Sequence, residues 1–67
     1  MNLTIDQALR QGVTAHKAGH LRDAERLYRV VMQSQPAHPH ANHNLGLIAV
    51  SANDISAALP LFKTALE

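Results

Sequence analysis

Residues 36–46 read PAHPHANHNLG and hold three histidines, two asparagines and two prolines. His40 and His43 are one helical turn apart, the spacing at which two imidazoles share a metal ion, and His16 could approach them from a neighbouring helix. The rest of a metal site is missing, because the chain has no cysteine and no supporting carboxylate stands close to these histidines in sequence. Neutral histidine is also a flat, polar side chain that suits a partly exposed helix start. The histidines are therefore read as surface or ligand-contact groups, with no metal and no cofactor. His38 is read as part of a loop and His20 as part of a first turn. Nucleophilic catalysis has no setting either: there is no Gly-x-Ser-x-Gly and no phosphate-binding glycine loop, and Gly12, Gly19 and Gly46 read as packing or turn glycines. No catalytic residue is expected, and the chain is not read as an enzyme.

Composition narrows the partners. Six Lys or Arg against five Asp or Glu leave a formal charge of +1, too balanced for a surface that gathers nucleic acid or lipid headgroups. Arg22, Arg26 and Arg29 form a row at four- and three-residue spacing, but Asp23 and Glu25 interrupt it, so it reads as a solvated outer face. A helix-turn-helix DNA binder is disfavoured for the same shortage of basic residues. No apolar run reaches the length of a signal-peptide core or a membrane span, and a cytoplasmic location is expected. At 67 residues a single core is marginal without disulfides, metal or a partner.

The elements that position these groups are helical. Over residues 4–18, Ile5, Ala8, Leu9, Val13 and Ala15 recur at three- and four-residue steps, and Thr4 with Gln7 makes a capping-box pair. Gly19 ends that run. Over residues 21–32, Leu21, Ala24, Leu27, Tyr28 and Val31 form one stripe, with Tyr28 read as core. Pro36 and Pro39 force a connection, and a third helix is predicted from near His40 to near Ser51. Asn53 and Asp54 suit a turn and an N-cap, and a fourth helix is predicted from about Ser56 onward with Ala58, Leu61, Phe62 and Ala65 inward.

Sliding the chain by 34 residues sets Gly12 on Gly46, Ala15 on Ala49, Ala18 on Ala52, Ala24 on Ala58 and Leu27 on Leu61. It also sets Leu21 on Ile55, Tyr28 on Phe62, Arg29 on Lys63 and Met32 on Leu66. Small residues then recur where helices approach and large ones where gaps are filled. On that reading Gly12 and Gly46 sit opposite Ala24 and Ala58, and the aromatic rings fill the space one turn further on.

Through Leu45, Gly46, Ala49, Asn53, Ala58, Phe62 and Ala65, and in the first half Gly12, Ala15, Gly19, Ala24, Tyr28, Val31 and Pro36, the chain resembles the tetratricopeptide repeat family. The resemblance implies an all-α fold, two antiparallel helix-turn-helix hairpins stacked as a short right-handed α-solenoid, with repeat one over about 5–38 and repeat two over 39–67, incomplete at its end. Two departures stand out. Gln11 replaces the family's usual Leu, as suits a terminal repeat. Pro60 falls near the start of the last helix, which predicts a late or slightly distorted start there.

The family lines its concave surface with the first helix of each pair. That analogy assigns ligand contact to Leu9, Val13, His16 and Lys17 of one helix and His40, His43, Asn44, Leu47 and Val50 of another, and implies recognition of a protein or peptide segment. Asn44 matches a residue that family members use on a peptide backbone or terminal carboxylate. Leu9 and Val13 stand where a chaperone-type carboxylate clamp has Lys and Asn, which disfavours acidic chaperone tails. The alternative is a substrate-positioning leader of a larger glycosyl-, sulfo- or methyltransferase, since the chain looks like the front of something longer. Ile55, Leu59 and Leu66 are expected to lie uncovered, with Leu3 and Ile5 exposed at the other end, and to drive homodimerisation by stacking or exchanging last helices.

Overall fold

The computed structural model describes residues 3–67, and among them are four α-helices and no strand: α1 (Ile5–Lys17), α2 (Leu21–Ser34), α3 (Pro39–Ser51) and α4 (Ile55–Leu66). α1 packs on α2 and α3 on α4, giving two helical hairpins, and α2 packs on α3 to join them. Among the described residues no helix is long and apolar enough to cross a membrane.

Local chemistry sets most of the boundaries. Thr4 Oγ1 accepts from the Gln7 N–H while Gln7 Oε1 accepts from the Thr4 N–H, both at 3.0 Å, so the capping box is complete. The hairpin turns carry Gly19 at φ 82° and Asn53 at φ 61°, in the left-handed region that these two residue types tolerate best. Asp54 caps α4 by accepting from the Ala57 N–H at 3.2 Å.

Three boundaries differ from expectation. α2 runs on to Ser34, because Pro36 restricts only the residue before it, and Gln35 is the residue that turns extended. α3 starts at Pro39, whose missing N–H costs nothing at a first helical position. His38 is thus not a passive loop residue: its Nδ1 accepts from the Ala41 N–H at 3.3 Å and caps the helix. α4 begins at Ile55 and not late, since the Asp54 cap nucleates it more than a turn ahead of Pro60, which lies inside the helix.

The 34-residue offset is a property of the backbone as well as of the side chains. Helix starts Leu21 and Ile55 are that far apart. So are the turn bonds His20 N–H to Ala15 O at 2.9 Å and Asp54 N–H to Ala49 O at 2.8 Å. The nearest side-chain atoms to both glycines belong to the aromatic rings. A Cβ at position 12 would fall 2.7 Å from Tyr28 Cε1, and one at position 46 would fall 2.5 Å from Phe62 Cε1. Each glycine is the floor on which an aromatic ring rests.

The core joins the hairpins: Ala8, Ala24, Tyr28 and Val31 meet Ala41, Leu45 and Ile48. Ile5, expected at an exposed end, packs against this core, whereas Leu3 is exposed. Asn42 is buried and its amide donates to Pro36 O at 3.0 Å and His38 O at 2.8 Å, fastening the proline-rich connection to α3.

Candidate functional site

Side chains of three helices surround one phenol. Tyr28 of α2 is fully buried, and its Oη lies 3.2 Å from His16 Nδ1 of α1. The two rings meet edge-on, with centroids 6.0 Å apart. Asn44 of α3 reaches the same phenol. Burial pushes the Tyr28 phenol above its ordinary value, and the Asn44 amide, which favours the phenolate, opposes part of that effect. His16, which the sequence assigned to ligand contact, therefore also ties α1 to α2 within hairpin one, and Asn44 acts on the same phenol from hairpin two.

A raised phenol ties stability to alkaline pH. The unfolded chain loses this proton near pH 10, below the folded value, so the contribution of the protonated phenol is complete below pH 10 and is lost as pH rises through the folded pKa. Tyr28→Phe is expected to cost about 1 kcal/mol at neutral pH through the lost hydrogen bonds and to flatten the fall in stability above pH 10. Urea denaturation at several pH values from 8 to 11 measures both. An unchanged alkaline slope in the variant would place that sensitivity on another group.

The remaining candidate residues divide by exposure. Leu9 and Val13 are half-buried and packed against the core, so only part of each is presented on α1, while Lys17 is exposed at its end. On α3, His40 and His43 are exposed, with the His43 ring 5.6 Å from Phe62 and the His40 ring 5.9 Å from His38. Leu47 and Val50 are 41% and 44% exposed, although aliphatic. These two lie on the side of α3 opposite the buried Ala41, Leu45 and Ile48. Among the described residues no group of three His, Cys, Asp or Glu side chains is placed to hold a metal ion, and His16 Nδ1 is already engaged by Tyr28.

The charged side chains mostly answer one another. Arg10 pairs with Asp6 at 3.0 Å, Arg26 with Asp23 at 3.4 Å and Arg29 with Glu25 at 3.1 Å, each within one helix and solvated. Such pairs contribute little stability, but they leave the arginine row of α2 without a strong outward field.

None of the nine candidate contact residues lines either of two clefts among the described residues. One, of about 340 Å³, lies where α2 meets hairpin two, with Glu25, Arg29, Met32, Leu45, Ile48 and Leu61 in its walls. The other, of about 520 Å³, is on the outer side of hairpin one and includes Gln11, Thr14, Ala15 and Leu27. The 34-residue offset foreshadows this pairing, because Gln11, Thr14 and Leu27 correspond to Leu45, Ile48 and Leu61. The two clefts are one surface, occupied by α2 in hairpin two and open in hairpin one. No family model, curated protein or solved structure matches the chain. What the surface does has to come from its own residues.

Proposed function

We propose that the chain is a helical-repeat interaction module of tetratricopeptide type, cytoplasmic, that takes a peptide segment of another protein along α1 and α3. The observation that carries this reading is the exposure of Leu47 and Val50, 41% and 44%, on a face whose neighbours are His40, His43 and Asn44. Aliphatic side chains in that setting bury ligand side chains, and the flanking imidazoles and amide supply directional hydrogen bonds. Leu9, Val13, His16 and Lys17 extend the surface onto α1, where His16 is held to Tyr28 of α2. The recurrence of helix starts, turn bonds and glycine–aromatic contacts at one offset supports the repeat reading.

Leu47→Asp combined with Val50→Asp is expected to weaken binding by roughly 30-fold or more, since each buried aliphatic contributes about 1 to 2 kcal/mol. The probe is the tightest sequence selected from a random displayed peptide library on the wild-type chain, followed by fluorescence anisotropy. Circular dichroism checks that the helices persist, as the exposure of both sites requires. Unchanged affinity would move the binding surface off α3.

A further inference from the structure

The chain contains its own comparison for the outer face of α4. α2 and α4 are the same element 34 residues apart, with Leu21, Tyr28 and Met32 at the positions of Ile55, Phe62 and Leu66. On α2 this face is covered by α3: Tyr28 is fully buried, and Leu21 and Met32 are half-buried. On α4 it is open: Ile55, Leu59 and Leu66 are 49%, 63% and 89% exposed. The composition changes in the same sense. Five charged residues lie along α2 but only Lys63 along α4, and Leu59 stands where α2 has Glu25. Loss of charge with gain of exposed aliphatics is the compositional mark of an interface centre.

We propose that a second copy of this chain covers the face, α4 against α4 about a two-fold axis. Area supports a protein-sized cover. A folded monomer of 7.3 kDa exposes about 4,200 Å² on the usual scaling, whereas this chain exposes 4692 Å². Two copies each withdrawing an excess of roughly 500 Å² bury about 1,000 Å² together, the lower bound of a specific interface. A net charge of +1 sets no electrostatic barrier to pairing.

Head-to-tail stacking is rejected by the opposite end of the molecule. α3 covers α2 with Ala41, Leu45 and Ile48, whose counterparts on α1 are Gln7, Gln11 and Thr14. Seating α1 of one copy on α4 of the next would press the Gln11 amide and the Gln7 NH2 group against aliphatic carbon, while Gln7 Oε1 and the Thr14 hydroxyl keep their bonds to the Thr4 N–H and Arg10 O. The apolar face therefore matches itself and not the polar end, which gives a closed dimer and no filament.

The absence of cysteine makes the geometry directly testable, because one introduced thiol reports its own neighbour. Sedimentation equilibrium of the wild-type chain is expected to give twice 7.3 kDa at hundreds of micromolar, and Leu59→Glu to raise the dimer dissociation constant at least 30-fold with helical circular dichroism retained. Leu66→Glu, at a site 89% exposed, repeats the test where no fold penalty arises. Under mild oxidation Leu59→Cys cross-links to itself and Thr14→Cys does not. A wild-type monomer at that concentration, as when a helix of another protein is the real occupant, overturns the proposal. So do open-ended growth and cross-linking of Leu59→Cys to Thr14→Cys in a mixture. Peptide binding at Leu47 and Val50 is measured separately, so either conclusion can fail alone.

Discussion

Pro60→Ala is expected to stabilise the folded chain by about 2 to 3 kcal/mol, and to raise Tm by roughly 10 °C or more, the shift that this energy produces in a domain of this size. Pro60 is the sixth residue of α4, past the first turn where an N–H is spare. Its ring nitrogen cannot donate to the Ser56 carbonyl and its ring crowds that group. The helix survives because both residues are exposed, so water can reach the freed carbonyl, and because the Asp54 cap holds the turn ahead of it. Alanine restores the missing bond, and the part of the gain lost to a freer unfolded chain is smaller, about 0.4 to 1 kcal/mol. The repeat itself does not call for the proline, since hairpin one has Arg26 at the equivalent position. Pro39 is the internal control: at the first position of α3 the same ring is already suited to its site, and Pro39→Ala is expected to change Tm little. Thermal denaturation at one fixed protein concentration measures both. Equal Tm for wild type and Pro60→Ala would show that the α4 backbone already compensates for the lost bond.

What was legible in the sequence was decided within a few residues. The Thr4–Gln7 box, the turns at Gly19 and Asn53, and the Asp54 cap each depend on one side chain and its adjacent backbone, so pattern and position were enough to read them. His38 was missed because imidazole is outside the usual set of capping side chains, and Pro39 because its favourable first position depends on that cap. The meeting of His16, Tyr28 and Asn44 needs three helices in their final rotation, which periodicity along one helix does not carry. The same limit explains the glycines. An offset of 34 residues shows that Gly12 and Gly46 are equivalent, but the turn of each helix about its axis decides how closely a ring approaches them. The division of Leu9 and Val13 from Leu47 and Val50 is one of packing: the first pair packs against the core, and the second is exposed.

The two glycines should therefore respond unequally to the same substitution, and the difference reads out which ring is trapped. Replacing either by alanine gains about 1 kcal/mol of helix propensity. Against this, Gly12→Ala drives a methyl to 2.7 Å from Tyr28 Cε1 and 2.9 Å from Cδ1. That ring is fully buried under α3 and its hydroxyl is tied to His16, so it can move only by breaking the tie or opening the hairpin contact. Overpacking of a fixed core costs about 1 to 3 kcal/mol, and the severed tie adds about 1 more, so the expected net loss is about 2 kcal/mol. Gly46→Ala makes the closer approach, 2.5 Å from Phe62 Cε1, yet Phe62 is half-buried, has no hydroxyl, and lies on the open side of α4. Its ring can tilt toward solvent, and the variant is expected within about 1 kcal/mol of wild type. Urea denaturation at low micromolar concentration, below the range of self-association, supplies both values. A Gly46→Ala loss equal to or greater than that of Gly12→Ala would mean that Phe62 is clamped even in the isolated chain. At hundreds of micromolar the two losses should converge, because a second copy on α4 would trap Phe62 as α3 traps Tyr28.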